Sequence, residues 1–181
     1  MRGYSVVRLG QGVFTEDDSA GGLEPDRGTG ILGAGGFGLN LTRHWGAEYV
    51  MEDFRAQLQV SGIGDVSGCP IATGFLRARG RYPLADGRAV PYVVFGLGFS
   101  FGQEGNLDKP RSLSGFSAEN DWSFAVSAGA GVDYSMDQNI ALGIEVRHTA
   151  LFDVDVNYAG CRQSLSMDYV SISGRVRIFF P

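Results

Sequence analysis

The feature that most limits how this chain can fold is a two-residue alternation that makes one face large and apolar and the other small or charged. It is clearest where Pro91, Val93, Phe95, Leu97, Phe99 and Phe101 alternate with Tyr92, Val94, Gly96, Gly98 and Ser100. The next segment repeats it, with Trp122, Phe124, Val126, Ala128, Ala130, Val132 and Tyr134 against Ser123, Ala125, Ser127, Gly129, Gly131, Asp133 and Ser135. Ile140, Leu142, Ile144, Val146, Ala150 and Phe152 then oppose Ala141, Gly143, Glu145, Arg147 and Thr149, with His148 the polar member of the apolar face. Val170, Ile172, Val176, Ile178 and Phe180 oppose Tyr169, Ser171, Ser173, Arg175 and Arg177. A helix repeats every 3.6 residues and cannot hold a period of two, so these four segments are β-strands.

The first half follows the same plan. Val7, Leu9 and Val13 face Arg8, Gly10 and Gly12, and Ile31, Phe37, Leu39 and Leu41 face Gly30, Ala34, Gly36, Gly38 and Asn40. In the third strand Val50, Phe54, Ala56, Leu58 and Val60 form the apolar face against Asp53, Arg55, Gln57 and Gln59. Glu52 then falls among the apolar residues, which predicts a bulge or phase shift near Val50. In the fourth, Leu76, Ala78, Tyr82 and Leu84 oppose Thr73, Arg77, Arg79 and Arg81.

Connections alternate in length as well. Short links are predicted at Thr42 to Gly46, at Ala85 to Arg88 with an Asp86-Gly87 signal for a type I′ hairpin, and at Met136 to Asn139. Long polar loops are predicted at Thr15 to Gly28, Gly62 to Pro70, Gln103 to Asp121 and Asp153 to Ser166. Short turns on one rim and long loops on the other are the pattern of a barrel that spans an outer membrane.

The direction of the faces follows from volume. A closed eight-stranded barrel has room for side chains and little else, and the phenylalanines, leucines and valines of these strands overfill it. Turned outward they meet hydrocarbon, while glycine on the inward face leaves space for arginine. Lipid also forbids an open strand edge, because each unsatisfied backbone group in hydrocarbon costs several kcal/mol. Tyr49, Tyr82 and Tyr134 toward one rim and Phe14, Phe101, Trp122 and Phe152 toward the other form two aromatic girdles. The expectation is one domain over residues 1–181, all-β: a closed eight-stranded antiparallel up-and-down transmembrane barrel with short periplasmic turns and long extracellular loops.

Composition agrees. The longest uncharged stretches, Gly28 to Thr42 and Ala89 to Gln103, are shorter than the roughly 20 apolar residues of a spanning helix. A net charge of −5, with Lys109 the lone lysine, argues against nucleic acid. Met1-Arg2-Gly3-Tyr4 lacks the apolar run of a signal peptide, so export implies a signal removed before this numbering begins.

The runs Val90 to Phe99, Ala128 to Tyr134 and Gly174 to Phe180 resemble the opacity-protein and OmpA/OmpX-like superfamily of small outer-membrane barrels. That resemblance covers nearly the whole chain. It implies a Gram-negative cell envelope, with outer-membrane lipid, lipopolysaccharide, the barrel-assembly machinery and other envelope proteins as partners. It does not imply an activity, since the architecture carries adhesins, structural proteins, porin-like channels and enzymes alike.

The inward face is read as holding Arg8, Asp53, Arg55, Arg77, Arg79, Arg81, Asp133, Glu145, Arg147, Arg175 and Arg177, with Glu48 as a further carboxylate. Buried charges must pair, so the first reading is a lumen plugged by ion pairs. The second is a narrow anion-preferring channel lined by arginine. His148-Thr149 is similar to the catalytic site of outer-membrane lipid A deacylases, whose Ser stands two residues after the His. Ala150 occupies that place, so the hydroxyl nucleophile of a lipid-modifying enzyme is missing. Cys69 and Cys161, each in a long loop, are either a disulfide across the mouth or two free thiols. The loops are acidic (Glu16, Asp17, Asp18, Glu24, Asp26, Glu104, Asp108, Glu119, Asp121), a solvated surface or one bridged to lipopolysaccharide by divalent cations. The expected function is non-enzymatic, without cofactor or resident metal: a barrel that anchors surface loops for envelope integrity, adhesion or docking in a larger complex.

Overall fold

The described residues form eight long strands and one two-residue strand: β1 (Arg2–Phe14), β2 (Pro25–Asn40), β3 (Trp45–Val60), β4 (Gly64–Arg81), β5 (Ala89–Gly102), β6 (Phe116–Ser117), β7 (Trp122–Ser135), β8 (Ile140–Tyr158) and β9 (Cys161–Phe179). The structure, a computed structural model, describes residues 1–15, 25–60, 64–84, 87–102, 116–117, 122–158 and 161–180; the side chains of 14, 25–28, 56–60, 64–70, 102, 116–117, 153–158 and 161–167 lie outside the description. Every long strand pairs antiparallel with its long neighbours in sequence, and β1 pairs with β9 from Tyr4 opposite Phe179 to Phe14 opposite Tyr169. That last ladder closes the sheet, so the long strands form a barrel without an edge.

The faces divide as the alternation requires. Val7, Leu9, Leu76, Val93, Phe95, Leu97, Phe99, Ile144 and Ile172 are exposed on the outer wall, while Tyr4, Arg8, Arg77, Arg79, Asp133, Glu145 and Arg175 are buried. Phe95, Leu97 and Phe99 therefore do not meet in a closed centre. An aromatic cluster marks the loop side of the outer wall, where the Phe101 and Trp122 rings lie 4.3 Å apart and Phe99 and Phe124 5.9 Å apart. Tyr49, Tyr82, Tyr134 and Trp45 are exposed toward the turn rim.

The third strand has the opposite phase to the one expected. Glu48, Val50, Glu52 and Phe54 are buried, and Asp53 and Arg55 are outside, their side chains 47% and 71% exposed and joined to each other by an Arg55 Nε to Asp53 Oδ2 bond of 3.2 Å. The ladder to β4 runs without interruption from Trp45 opposite Gly80 to Ala56 opposite Cys69, so no bulge occurs near Val50. The register shift falls instead between Ala56 and Gln57. This ladder sets Glu48 directly opposite Arg77, and an inward arginine needs its cross-strand carboxylate on the same face.

The rims differ from expectation too. Backbone strand runs through most of Gly62 to Pro70 and of Asp153 to Ser166, so tall hairpins replace two of the four long loops. At the β4–β5 turn the Gly87 N–H donates to the Leu84 carbonyl at 2.9 Å with Gly87 at φ 67°, which makes Gly87 the closing residue of a turn from Leu84 and not the centre of a two-residue type I′ turn.

Candidate functional site

The inward faces converge on one feature, a lumen filled with charge. Six arginines (8, 77, 79, 147, 175 and 177) and four carboxylates (Glu48, Glu52, Asp133 and Glu145) are no more than 3% exposed. Their order along the axis follows from strand register. Arg8 and Arg175 are cross-strand neighbours on β1 and β9, a like-charge pair that repels unless an anion lies between them. Glu145 is that anion: it accepts from Arg8 at 2.6 Å, from Arg77 at 2.5 Å and from Arg175 at 3.0 Å. Nearer the turn rim, Glu48 accepts from Arg175 at 2.9 Å and has Arg77 and Arg79 each at 3.5 Å. Asp133 takes Arg177 at 2.5 Å and Arg79 on the same oxygen, with Arg175 3.4 Å from the other. Toward the loop rim Arg147 donates to Glu52, which also lies 3.6 Å from Arg8.

Each glutamate also accepts from a tyrosine hydroxyl: Tyr4 to Glu48 at 2.8 Å, Tyr92 to Glu145 at 3.0 Å and Tyr169 to Glu52 at 2.7 Å. Arg79 lies over the Tyr92 ring with its Cζ 3.7 Å from the centroid. Tyr92 so meets a carboxylate at its hydroxyl and a guanidinium on its ring face, and Tyr4 does the same with Glu48 and Arg177. Room for them comes from glycine. A Cβ on Gly131 would collide with the Tyr92 hydroxyl and the Ile144 carbonyl oxygen.

Above the charged lattice, Leu32, Phe54, Phe75, Ala125, Leu151 and Tyr169 form an apolar layer, with Phe54 and Tyr169 stacked 4.5 Å apart. At the opposite end the lumen opens into a vestibule of about 350 Å³ lined by Arg2, Asn40, Arg81, Ser135, Gln138 and Phe179 among others.

Of the residues read as lumenal, eight lie in this lattice. Arg81 stands half-buried at the turn mouth, and Asp53 and Arg55 point out of the barrel. Glu48 is inside. Glu52, read as an intruder on the lipid face, is a lattice member; Tyr92 and Tyr169 are donors that the alternation placed without assigning them a part, and Tyr4 is a third that it did not place. A count of charge contained the missing signal: an inward set of eight arginines with three acids demands more carboxylates, and Glu48 and Glu52, four apart on a strand, share one face.

His148 is on the outer wall with its Nε2 3.4 Å from Asp168 Oδ2. Ala150, its neighbour on that face, supplies no hydroxyl. Cys69 and Cys161 belong by backbone to β4 and β9, four positions apart in either direction round the barrel, and their side chains lie outside the described residues, as do those of the acidic loop positions. No cluster of metal-binding side chains occurs among the described residues.

Three comparisons bear on this geometry. A model of the outer membrane protein beta-barrel domain matches residues 3–170. OprG from Pseudomonas aeruginosa superposes with a TM-score of 0.63 at 17% identity, covering 98% of this chain and 96% of that one. Neisserial surface protein A gives 0.64 at 11% over 98% and 97%, and the N-terminal barrel of Pseudomonas aeruginosa OprF 0.57 at 14% over 98% and 97%. At such identities the structural likeness carries the fold alone. Among curated proteins none matches.

Proposed function

This chain belongs to the outer membrane protein beta-barrel domain family, a bacterial outer-membrane barrel, and from that premise we propose that it is a non-enzymatic anchor that holds its loop-side connections at the cell surface for envelope integrity, adhesion or docking in a larger envelope complex. The observation that carries this reading is the filled lumen. Arginine and glutamate there bond to one another across the lumen, and the apolar layer of Leu32, Phe54, Phe75 and Leu151 lies across the same axis. A hydrophobic constriction over paired charges opposes ion passage by dewetting. What remains for such a barrel to contribute is a rigid mount for its loops.

A narrow anion-preferring channel is the second reading, favoured by the excess of arginine over carboxylate in the lumen. Planar-bilayer recording separates the two. The anchor reading expects baseline current from purified protein whose heat-modifiable gel migration shows a folded barrel, and loss of the surface phenotype when residues 103–121 are replaced by a short glycine-serine link. Steady currents altered by Arg79→Ala overturn it in favour of the channel. Full restoration of the envelope by the loop-trimmed barrel overturns it outright.

A further inference from the structure

The lumen is not electrically balanced, and the imbalance has a direction. Six buried arginines face four buried carboxylates among the described residues, an excess of two positive charges. At the loop end Glu52 serves Arg147 and Arg8, and in the middle Glu145 and Glu48 are each shared by three arginines. Nearest the turn mouth, Arg177 has Asp133 as its only carboxylate within 4.0 Å among the described residues, on an oxygen that Arg79 also takes. Arg177 Nε and one of its terminal nitrogens are buried without a hydrogen-bond partner. One layer further out, Arg81 has no carboxylate within 4.0 Å among the described residues, and its Nε too is buried and unpartnered. Burying cations without compensation is expensive, so positive potential accumulates toward this mouth.

The mouth is also shaped. Arg81 and Arg2 both line the 350 Å³ vestibule, together with Asn40, Gln138 and Ser135. Arg2 is pre-oriented: one terminal nitrogen donates to Asn139 Oδ1 at 3.0 Å and its Nε to the Phe180 carbonyl at 3.4 Å. Its guanidinium carbon lies 5.1 Å from the centre of the Phe179 ring, and that of Arg177 lies 5.0 Å from the same ring. The buried excess and the vestibule therefore meet at Phe179. Among the described residues one acid, Asp137, lines the space, and its Oδ1 already accepts the Asn139 and Ile140 N–H groups at 2.6 and 2.7 Å.

We propose that this turn-side vestibule is a binding site for a small soluble molecule carrying a phosphate group, its oxyanion held between Arg81 and Arg2. Two guanidinium groups beside neutral polar side chains suit a phosphate, and a doubly charged oxyanion offsets the excess that the lumen carries. The volume falls at the lower end of the range of small-molecule sites, about 300–1,000 Å³. The assignment stands apart from the anchor reading, since binding at the mouth requires no conduction.

The test is a titration of the folded protein in neutral phosphatidylcholine nanodiscs with inorganic phosphate and with glycerol phosphate, followed by the arginine Nε–Hε NMR signals. Saturable shifts at Arg2 and Arg81 are expected, with Kd raised about tenfold by Arg81→Gln, the loss of a charge-assisted contact. Arg55→Gln, on the outer wall, leaves Kd unchanged. Heat-modifiable migration checks that each variant is folded, and Arg2→Gln, altering a half-buried residue at the start of the chain, gives the same reading should Arg81→Gln fail to fold. No saturable shift, or equal affinity in wild type and the folded variants, overturns the proposal. Saturation by phosphatidylglycerol nanodiscs but not by free phosphate assigns the site to a lipid headgroup and overturns the soluble ligand.

Discussion

Glu52 on β3 and Arg147 on β8 stand four positions apart whichever way the barrel is traversed, and Arg147 donates to Glu52 directly across the lumen. Adjacent strands are held by their backbone ladders. This pair joins opposite walls and adds a brace that the sheet lacks. Tyr169 seats the same carboxylate from β9, and Phe54 stacks on that tyrosine, so the charged lattice and the apolar layer above it share one joint.

Removing the charge of Glu52 leaves Arg147 and Arg8 buried against an excess of arginine. Glu52→Gln is expected to cost about 3–5 kcal/mol, whereas Asp53→Asn, one residue away on the outer wall, costs less than about 1 kcal/mol. Urea titration of the protein in vesicles, read by gel migration without heating, compares them. A larger loss in Asp53→Asn than in Glu52→Gln would mean that β3 has the other phase.

The outward face makes a separate prediction. Leu97 lies mid-strand on β5, 48% exposed, and a charge there enters hydrocarbon. Leu97→Arg is expected to destabilise the inserted barrel by about 2–4 kcal/mol. An unchanged unfolding midpoint in vesicles is incompatible with a lipid-facing Leu97.

Two glycines in strands should respond in opposite senses. Gly131→Ala forces Tyr92 and the β8 backbone aside and is expected to cost about 1–3 kcal/mol. Gly33 points outward with nothing within 4 Å of an added Cβ, so Gly33→Ala is expected to be neutral or to stabilise by about 0.4–1 kcal/mol through the unfolded chain. The same denaturation assay ranks them, and a reversed order would show that the lumen is not filled around Tyr92.

Gly87 closes the β4–β5 turn in the left-handed region. Gly87→Ala is expected to lose about 1–2 kcal/mol, and Gly87→Asn less, because asparagine tolerates that conformation. Refolding yield and unfolding midpoint both report it. If alanine and asparagine behave alike, the turn relaxes to another form.

Strand number, faces and the outward direction of the apolar wall were legible in the amino-acid order, because in β1, β4, β5, β7, β8 and β9 one face is bulky and the other small or charged, and a period of two allows a single answer. β3 carries apolar and charged residues on both faces: Val50 and Phe54 read as lipid-facing when they fill the lumen, and Asp53 and Arg55 read as lumenal when they lie at its outer surface. Local alternation cannot choose between two such faces. The choice comes from the ladder that sets Glu48 beside Arg77 and from the demand of six buried arginines for carboxylates, both of which join residues distant in the chain. The partners of Glu52 and Glu145, and the shortfall of negative charge at the turn mouth, are likewise products of closure, since only the closed barrel brings non-neighbouring strands within hydrogen-bond reach.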